Sequence, residues 1–134
     1  MYIDMHCHSR KKNLFFYGCM PHESNLDPLG PRLFPYIMSK VHHAYSYYDC
    51  SFAVQKNKEG TARVTLWKML RINEIYTLEA SFMGADGGAN YIEADYEKAG
   101  RKLCEGIAVY FADPESQNPP EMAELIGEKT ARMA

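Results

Sequence analysis

The sequence predicts an α/β fold, on three observations. Short β-type stretches recur at residues 2–6, 14–17, 62–67 and 74–81. One long stretch, 93–110, repeats its apolar residues at helical steps, and the segments between carry the glycines, prolines and polar clusters of turns. The 134 residues, 46% hydrophobic and 24% charged, suit one globular domain or a piece of one.

Residues 2–6 alternate, with Tyr2, Asp4 and His6 on one face and Ile3 and Met5 on the other, so three polar or ionisable groups share a face. Ser9-Arg10-Lys11-Lys12-Asn13 is a basic loop that leads into Leu14-Phe15-Phe16-Tyr17, a second extended segment stopped by Gly18. The four prolines of residues 20–35 predict a loop. A short helix is expected at 36–43, a short strand at 51–55, and a polar turn at 56–60 before the β-type run 62–67. The run 74–81 ends in a loop carrying Gly84, Gly87 and Gly88. In the helix at 93–110, Tyr96, Ala99, Leu103, Ile107 and Tyr110 form one face and Glu97, Lys98, Arg101 and Lys102 the other. Residues 113–120, with three prolines, have the composition of a linker, and 121–134 that of a short amphipathic helix or loose tail. The expected division is a domain over 1–112 and a linker and tail over 113–134. A chain that opens directly in a strand also raises the expectation of a fragment.

Fifteen Lys and Arg against 17 Asp and Glu give a net charge of −2, without the positive excess that binds nucleic acid through counterion release. Arg10, Lys11 and Lys12 beside Phe15, Phe16 and Tyr17 make one small basic and aromatic patch, but an alternating aromatic strand serves better as core. No run approaches the ~18 apolar residues of a membrane span, and the opening has no cationic region followed by an apolar one. The chain is therefore expected to be neither membrane-inserted nor secreted. Cys7, Cys19, Cys50 and Cys104 form no Cys-x-x-Cys pair and read as free thiols of a reducing cytosol.

Three places carry possible chemistry. In Asp4-Met5-His6-Cys7-His8, a strand ending in His with an Asp two residues earlier offers an imidazole ligand and its orienting carboxylate; the rival reading is histidines that hydrogen-bond at a strand end. His42-His43, on an expected helix, point about 100° apart and suit a joint ligand role poorly. Glu79, within Tyr76-Thr77-Leu78-Glu79-Ala80-Ser81, is a carboxylate inside an otherwise uncharged run, fit for a general base or for an edge strand facing solvent. Arg63, near the start of an expected strand, offers a planar fork for a carboxylate, against the plainer reading of a solvated arginine.

The run Tyr2-Ile3-Asp4-Met5-His6-Cys7-His8-Ser9-Arg10-Lys11-Lys12-Asn13-Leu14-Phe15-Phe16-Tyr17-Gly18-Cys19 resembles the signature segment of the cytosolic carboxypeptidases. These are zinc metallocarboxypeptidases, many of which trim glutamates from tubulin and other acidic tails. The resemblance continues through Cys50-Ser51-Phe52, Lys58-Glu59-Gly60-Thr61-Ala62-Arg63-Val64, the segment around Glu79, and the closing helix to about Tyr110. It implies that His6 is a zinc ligand, that His8 is not, and that Glu79 is the catalytic glutamate activating water against the last peptide bond. It also implies that Arg63 lines the floor of the pocket for a C-terminal glutamate side chain.

Two departures stand out. The family has Gly where Cys7 stands, which sets a side chain beside the ligand: one that packs inward, crowds the metal or competes as a soft ligand. No His-x-x-Glu occurs, although the family draws its first two zinc ligands from such a motif upstream. The resemblance thus implies the C-terminal part of a mixed-sheet carboxypeptidase domain with a long C-terminal helix, acting in the cytoplasm on acidic, tubulin-like tails and on neither nucleic acid nor membrane. The alternative is a catalytically inactive fragment that binds acidic tails through Arg10, Lys11, Lys12 and Arg63.

Overall fold

The computed structural model describes residues 1–20, 29–88 and 90–112, together with 124, 127, 128 and 131. Strands β1 (Tyr2–His8) and β2 (Leu14–Tyr17) are followed by helix α1 (Gly30–Val41), a 3-10 turn (Lys56–Lys58), helix α2 (Ala62–Leu70), strand β3 (Ile75–Ser81) and helix α3 (Glu93–Phe111). The α/β class, the mixed sheet and the long last helix match the expectation. The linker and tail expected over 113–134 lie almost wholly outside the described residues.

The sheet has the order β1-β3-β2, with β1 parallel and β2 antiparallel to the central β3. The outer side of β2 is covered by the chain around residues 44–51: the Leu14 N–H donates to the Ala44 carbonyl at 2.8 Å, and the Gly18 N–H to the Ser51 carbonyl at 2.9 Å. The outer side of β1 has no strand beside it among the described residues.

Alternation along the strands divides their side chains between two faces. Ile3, Leu14, Phe16, Tyr76 and Leu78 take one face and pack on Phe34 and Met38 of α1 and on Ala99 and Leu103 of α3. Two buried hydroxyls fasten this layer: Tyr76 donates to the Pro31 carbonyl at 3.0 Å, and Tyr45 to the Ala99 carbonyl at 2.8 Å. The first bond explains how α1 tolerates Pro35 in its interior. Pro35 has no N–H for the carbonyl one turn back, which is that of Pro31, and the Tyr76 hydroxyl supplies the missing donor. Where α1 crosses α3, a Cβ on Gly106 would lie 2.0 Å from Met38 Sδ, so the helices meet only because residue 106 has no side chain.

Four local expectations are corrected. The proline-rich stretch is helical from Gly30 onward, because Pro31 sits in the first turn, where a missing N–H costs nothing; residues 21–28 lie outside the described residues. The helix ends at Val41, and His42 is extended as its C-cap, so the two histidines do not share a helix; their rings stack at 4.4 Å. Of the strand expected at 51–55, only Ser51 bridges a strand residue, Tyr17. The run 62–67 is helical, not extended: Thr61 is an extended N-cap, and Arg71 closes the helix in the left-handed region, its N–H donating to the Trp67 carbonyl at 2.9 Å. Burial of Arg63 and Val64 on adjacent helical positions overrides the β-branched character of Val64 and Thr65.

All four cysteines are free, with Cys7 and Cys104 exposed and Cys19 buried. Burial pushes the Cys50 thiol up to about 11. Brief alkylation of the native chain at neutral pH should therefore label Cys7 and Cys104 and spare Cys19 and Cys50 until denaturant is added. Peptide mass spectrometry reads this directly, and rapid native labelling of Cys19 would contradict its burial. Gly106→Ala should lower stability by about 1–3 kcal/mol in chemical denaturation. Gly100→Ala, on the same helix with nothing within 4 Å of its Cβ, should be neutral or stabilising.

Candidate functional site

The face of the sheet turned away from the α1–α3 layer carries the ionisable residues. Register places His6 beside Glu79 across β1 and β3, and Phe15 beside Glu79 across β3 and β2. His6, Glu79 and Phe15 therefore form one row on one face, with Asp4, Thr77 and Tyr17 the adjoining row. Glu79 is half-buried on the central strand, so the edge-strand reading of this carboxylate is corrected. Two residues remote in sequence are neighbours because β1 and β3 run parallel.

His6 is exposed, and its Nε2 lies 3.0 Å from Asp4 Oδ2. Asp4 engages Nε2, which leaves Nδ1 as the nitrogen open to a metal. His8, on the same face, is occupied otherwise: its Nδ1 accepts the N–H groups of Arg10 at 3.0 Å and Lys11 at 3.2 Å, shaping the turn after β1. Its ring stands edge-on to Phe15 at 5.3 Å. Cys7 pairs with Ala80 and projects to the opposite face from His6, so it neither crowds that imidazole nor competes with it.

The donor chemistry fits one corner of a zinc site. Imidazole nitrogen oriented by a carboxylate is a standard ligand, but a catalytic zinc takes three protein ligands. Among the described residues no group of three His, Cys, Asp or Glu side chains converges to hold a metal. His6 can serve only with donors beyond them.

Arg63 differs from the solvated arginine of the plainer reading. It lies at the start of α2, not of a strand, and is only 7% exposed. Its Nη1 donates to the Gly18 carbonyl and reaches Cys19 Sγ at 3.2 Å, anchoring the guanidinium at the end of β2. Burial pushes the Cys19 thiol up, and the Arg63 charge opposes that shift.

Tyr17, which the sequence offers only as part of an aromatic patch, links the parts. It pairs with Thr77, two residues from Glu79 on the same face, and its ring meets Phe15 at 5.5 Å. Burial and the Glu79 carboxylate hold its hydroxyl above the ordinary tyrosine value, while Arg63 pulls it down. The charges of Glu79 and Arg63 thus both act on one phenol. Alternation puts Tyr17 on this face; only the β2–β3 register brings it to Glu79.

Replacing Arg63 by Met should cost about 1–3 kcal/mol, because the buried Gly18 carbonyl loses its donor. Lys68→Met, which removes only an exposed pair with Glu59 at 3.1 Å, should cost ~1 kcal/mol or less. Equal losses in parallel denaturation curves would refute the anchoring role.

No family model matches the chain. Curated relatives do. A stretch of 121 residues, 87% of this chain and 12% of the relative, is 38% identical to cytosolic carboxypeptidase 2 of Xenopus tropicalis. Cytosolic carboxypeptidase 3 of Mus musculus is 39% identical over 123 residues, 86% of this chain and 12% of that protein. Cytosolic carboxypeptidase 2 of Danio rerio is 34% identical over 132 residues, 95% of this chain and 18% of that protein. The chain thus spans less than a fifth of the length of these relatives.

Proposed function

The chain belongs to the cytosolic carboxypeptidases as one segment of them, and on that premise we propose that it forms the C-terminal part of a zinc-dependent catalytic domain removing C-terminal glutamates from acidic protein tails such as those of tubulin. The observation that carries the reading is the placement of Glu79 beside His6 on neighbouring strands. A half-buried carboxylate next to a carboxylate-oriented imidazole is the arrangement a hydrolytic site needs.

Each residue has a distinct task in this proposal. His6 holds zinc through Nδ1, with Asp4 fixing the ring, and the remaining ligands come from outside the described residues. When bound, the metal supplies a Lewis acid that polarises the scissile carbonyl and makes water more acidic. A Glu79 carboxylate oxygen accepts the proton of the attacking water and passes it to the leaving amine, which completes peptide hydrolysis. Arg63, with Nη1 committed to the Gly18 carbonyl, has its other guanidinium nitrogens free of hydrogen bonds to described residues and directs them at the side-chain carboxylate of a terminal glutamate. The relatives are named cytosolic, and no helix among the described residues is long and apolar enough to cross a membrane, so a cytoplasmic setting is part of the proposal.

The alternative of an inactive binder of acidic tails has less support. Arg63 is buried and anchored, so it adds nothing to a surface patch with Arg10, Lys11 and Lys12, and Lys11 lies over the Phe15 ring at 4.9 Å.

The test needs the longer protein that carries this segment. Glu79→Gln should preserve metal content and folding while lowering glutamate release from an acidic peptide about 10²–10⁴-fold. His6→Ala should lower metal occupancy. Arg63→Ala should cut the preference for terminal glutamate over a neutral residue by roughly 10- to 150-fold, the equivalent of one charged hydrogen bond. That ratio is insensitive to any fall in the folded fraction. Full activity in Glu79→Gln, or an unchanged preference in Arg63→Ala, would remove the corresponding role. The 134-residue chain by itself should bind zinc weakly and release no glutamate; tight stoichiometric binding in calorimetry would show that His6 does not depend on outside ligands.

A further inference from the structure

Glu79 and Arg63 have separate tasks in the proposed function, and Tyr17, which feels the charge of both, has none. Its backbone is fixed on two sides: it pairs with Thr77 of β3 and bridges Ser51 at the outer side of β2. The next residue, Gly18, donates its N–H to the Ser51 carbonyl at 2.9 Å and packs so closely that a Cβ there would lie 2.7 Å from the Phe52 ring. The tyrosine ring is therefore presented from a rigid strand end, edge-on to Phe15 at 5.5 Å and on the face that carries Glu79.

The hydroxyl at its tip is uncommitted. It makes no hydrogen bond with a described residue, and it is not one of the solvent-excluded polar atoms left without a partner, so water reaches it. A polar atom of a ligand takes the place of that water. Burial and the Glu79 carboxylate, with Asp49 adding to them, hold the hydroxyl above the ordinary tyrosine value while the Arg63 guanidinium lowers it, so at neutral pH it is an uncharged O–H donor.

The acceptor follows from the tasks of the two neighbours. Glu79 works at the scissile peptide and Arg63 takes the side-chain carboxylate of the terminal residue, so a group within reach of both charges lies along that side chain. A carboxylate has about four lone-pair sites, and Arg63, with Nη1 committed to the Gly18 carbonyl, leaves some of them open. A phenol fills one without bringing a second charge that must itself be desolvated.

We propose that Tyr17 is a specificity-determining residue whose hydroxyl donates a hydrogen bond to the side-chain carboxylate of the substrate's terminal glutamate, beside the Arg63 guanidinium. The assignment rests on the function proposed above. A terminal leucine displaces the water from the hydroxyl and offers no acceptor in return, so the same donor that favours glutamate rejects an apolar residue.

The experiment measures kcat/KM of the longer protein carrying this segment on two acidic peptides that differ only in the last residue, glutamate or leucine. It compares the wild type with Tyr17→Phe, Arg63→Ala and the double variant. Phenylalanine keeps the ring against Phe15 and removes only the oxygen. The glutamate-to-leucine ratio should fall about tenfold in Tyr17→Phe, with melting temperature and metal content unchanged. The double variant should lose less than the product of the two single losses, because both donors serve one carboxylate. Should the double variant fail to fold, the ratio in Tyr17→Phe decides alone. An unchanged ratio, an equal loss on both peptides, or single losses that multiply in the double variant overturns the assignment of Tyr17 and leaves Glu79 and Arg63 in their tasks. A wild type that cleaves neither peptide, or releases leucine as readily as glutamate, overturns the proposed function and this assignment together.

Discussion

The two-residue period of β3 is the constraint on which the other features depend. With strands on both sides, its backbone is fully engaged and its side chains have only two directions. Tyr76 and Leu78 go into the layer formed with α1 and α3, and Thr77 and Glu79 go to the other face. The core and the candidate site are therefore consequences of a single alternation. The glutamate cannot be displaced along the strand without moving Leu78 out of the hydrophobic layer. Its position is held by hydrophobic burial on the far side, which is much stronger than any polar contact the glutamate makes.

Tyr76 shows how closely helix and sheet depend on each other. A proline inside α1 is a local fault, and the hydroxyl that corrects it belongs to the central strand. Neither residue explains itself from its own neighbourhood: Pro35 looks like a helix breaker, and a buried tyrosine looks like an expensive phenylalanine. Together they fix the orientation of α1 over β3, and Gly106 then allows α3 to approach α1.

This interdependence decides what was legible in the sequence. β1 and α3 declare themselves by the periodicity of their sequences, and β2 and β3 as short β-type runs bounded by turns. The proline-rich start of α1 does not, since its tolerance of Pro35 is supplied by a residue on another element. Nor does α2, whose Val64 and Thr65 favour a strand by local propensity while burial of Arg63 and Val64 selects a helix. The polar face of β1 and the isolated carboxylate of β3 were visible as separate oddities. Their adjacency was not, because register is a relation between strands, and neither sequence contains it. The anchoring of Arg63 to Gly18 and Cys19 is a tertiary contact of the same kind.

The asymmetry of the sheet bears on how securely that adjacency is kept. β2 is gripped on both edges, but among the described residues β1 has a ladder to β3 alone. Its apolar face is also thinly held, since Met5 is 68% exposed. A displacement of β1 by one position would exchange its faces, setting Cys7 beside Glu79 in place of His6. The deletion of a single residue early in this strand would thus replace an imidazole by a thiol at the centre of the site while leaving every hydrogen bond of the ladder available. At this edge the identity of the functional side chain is a matter of counting, and a frame of one residue separates two different chemistries.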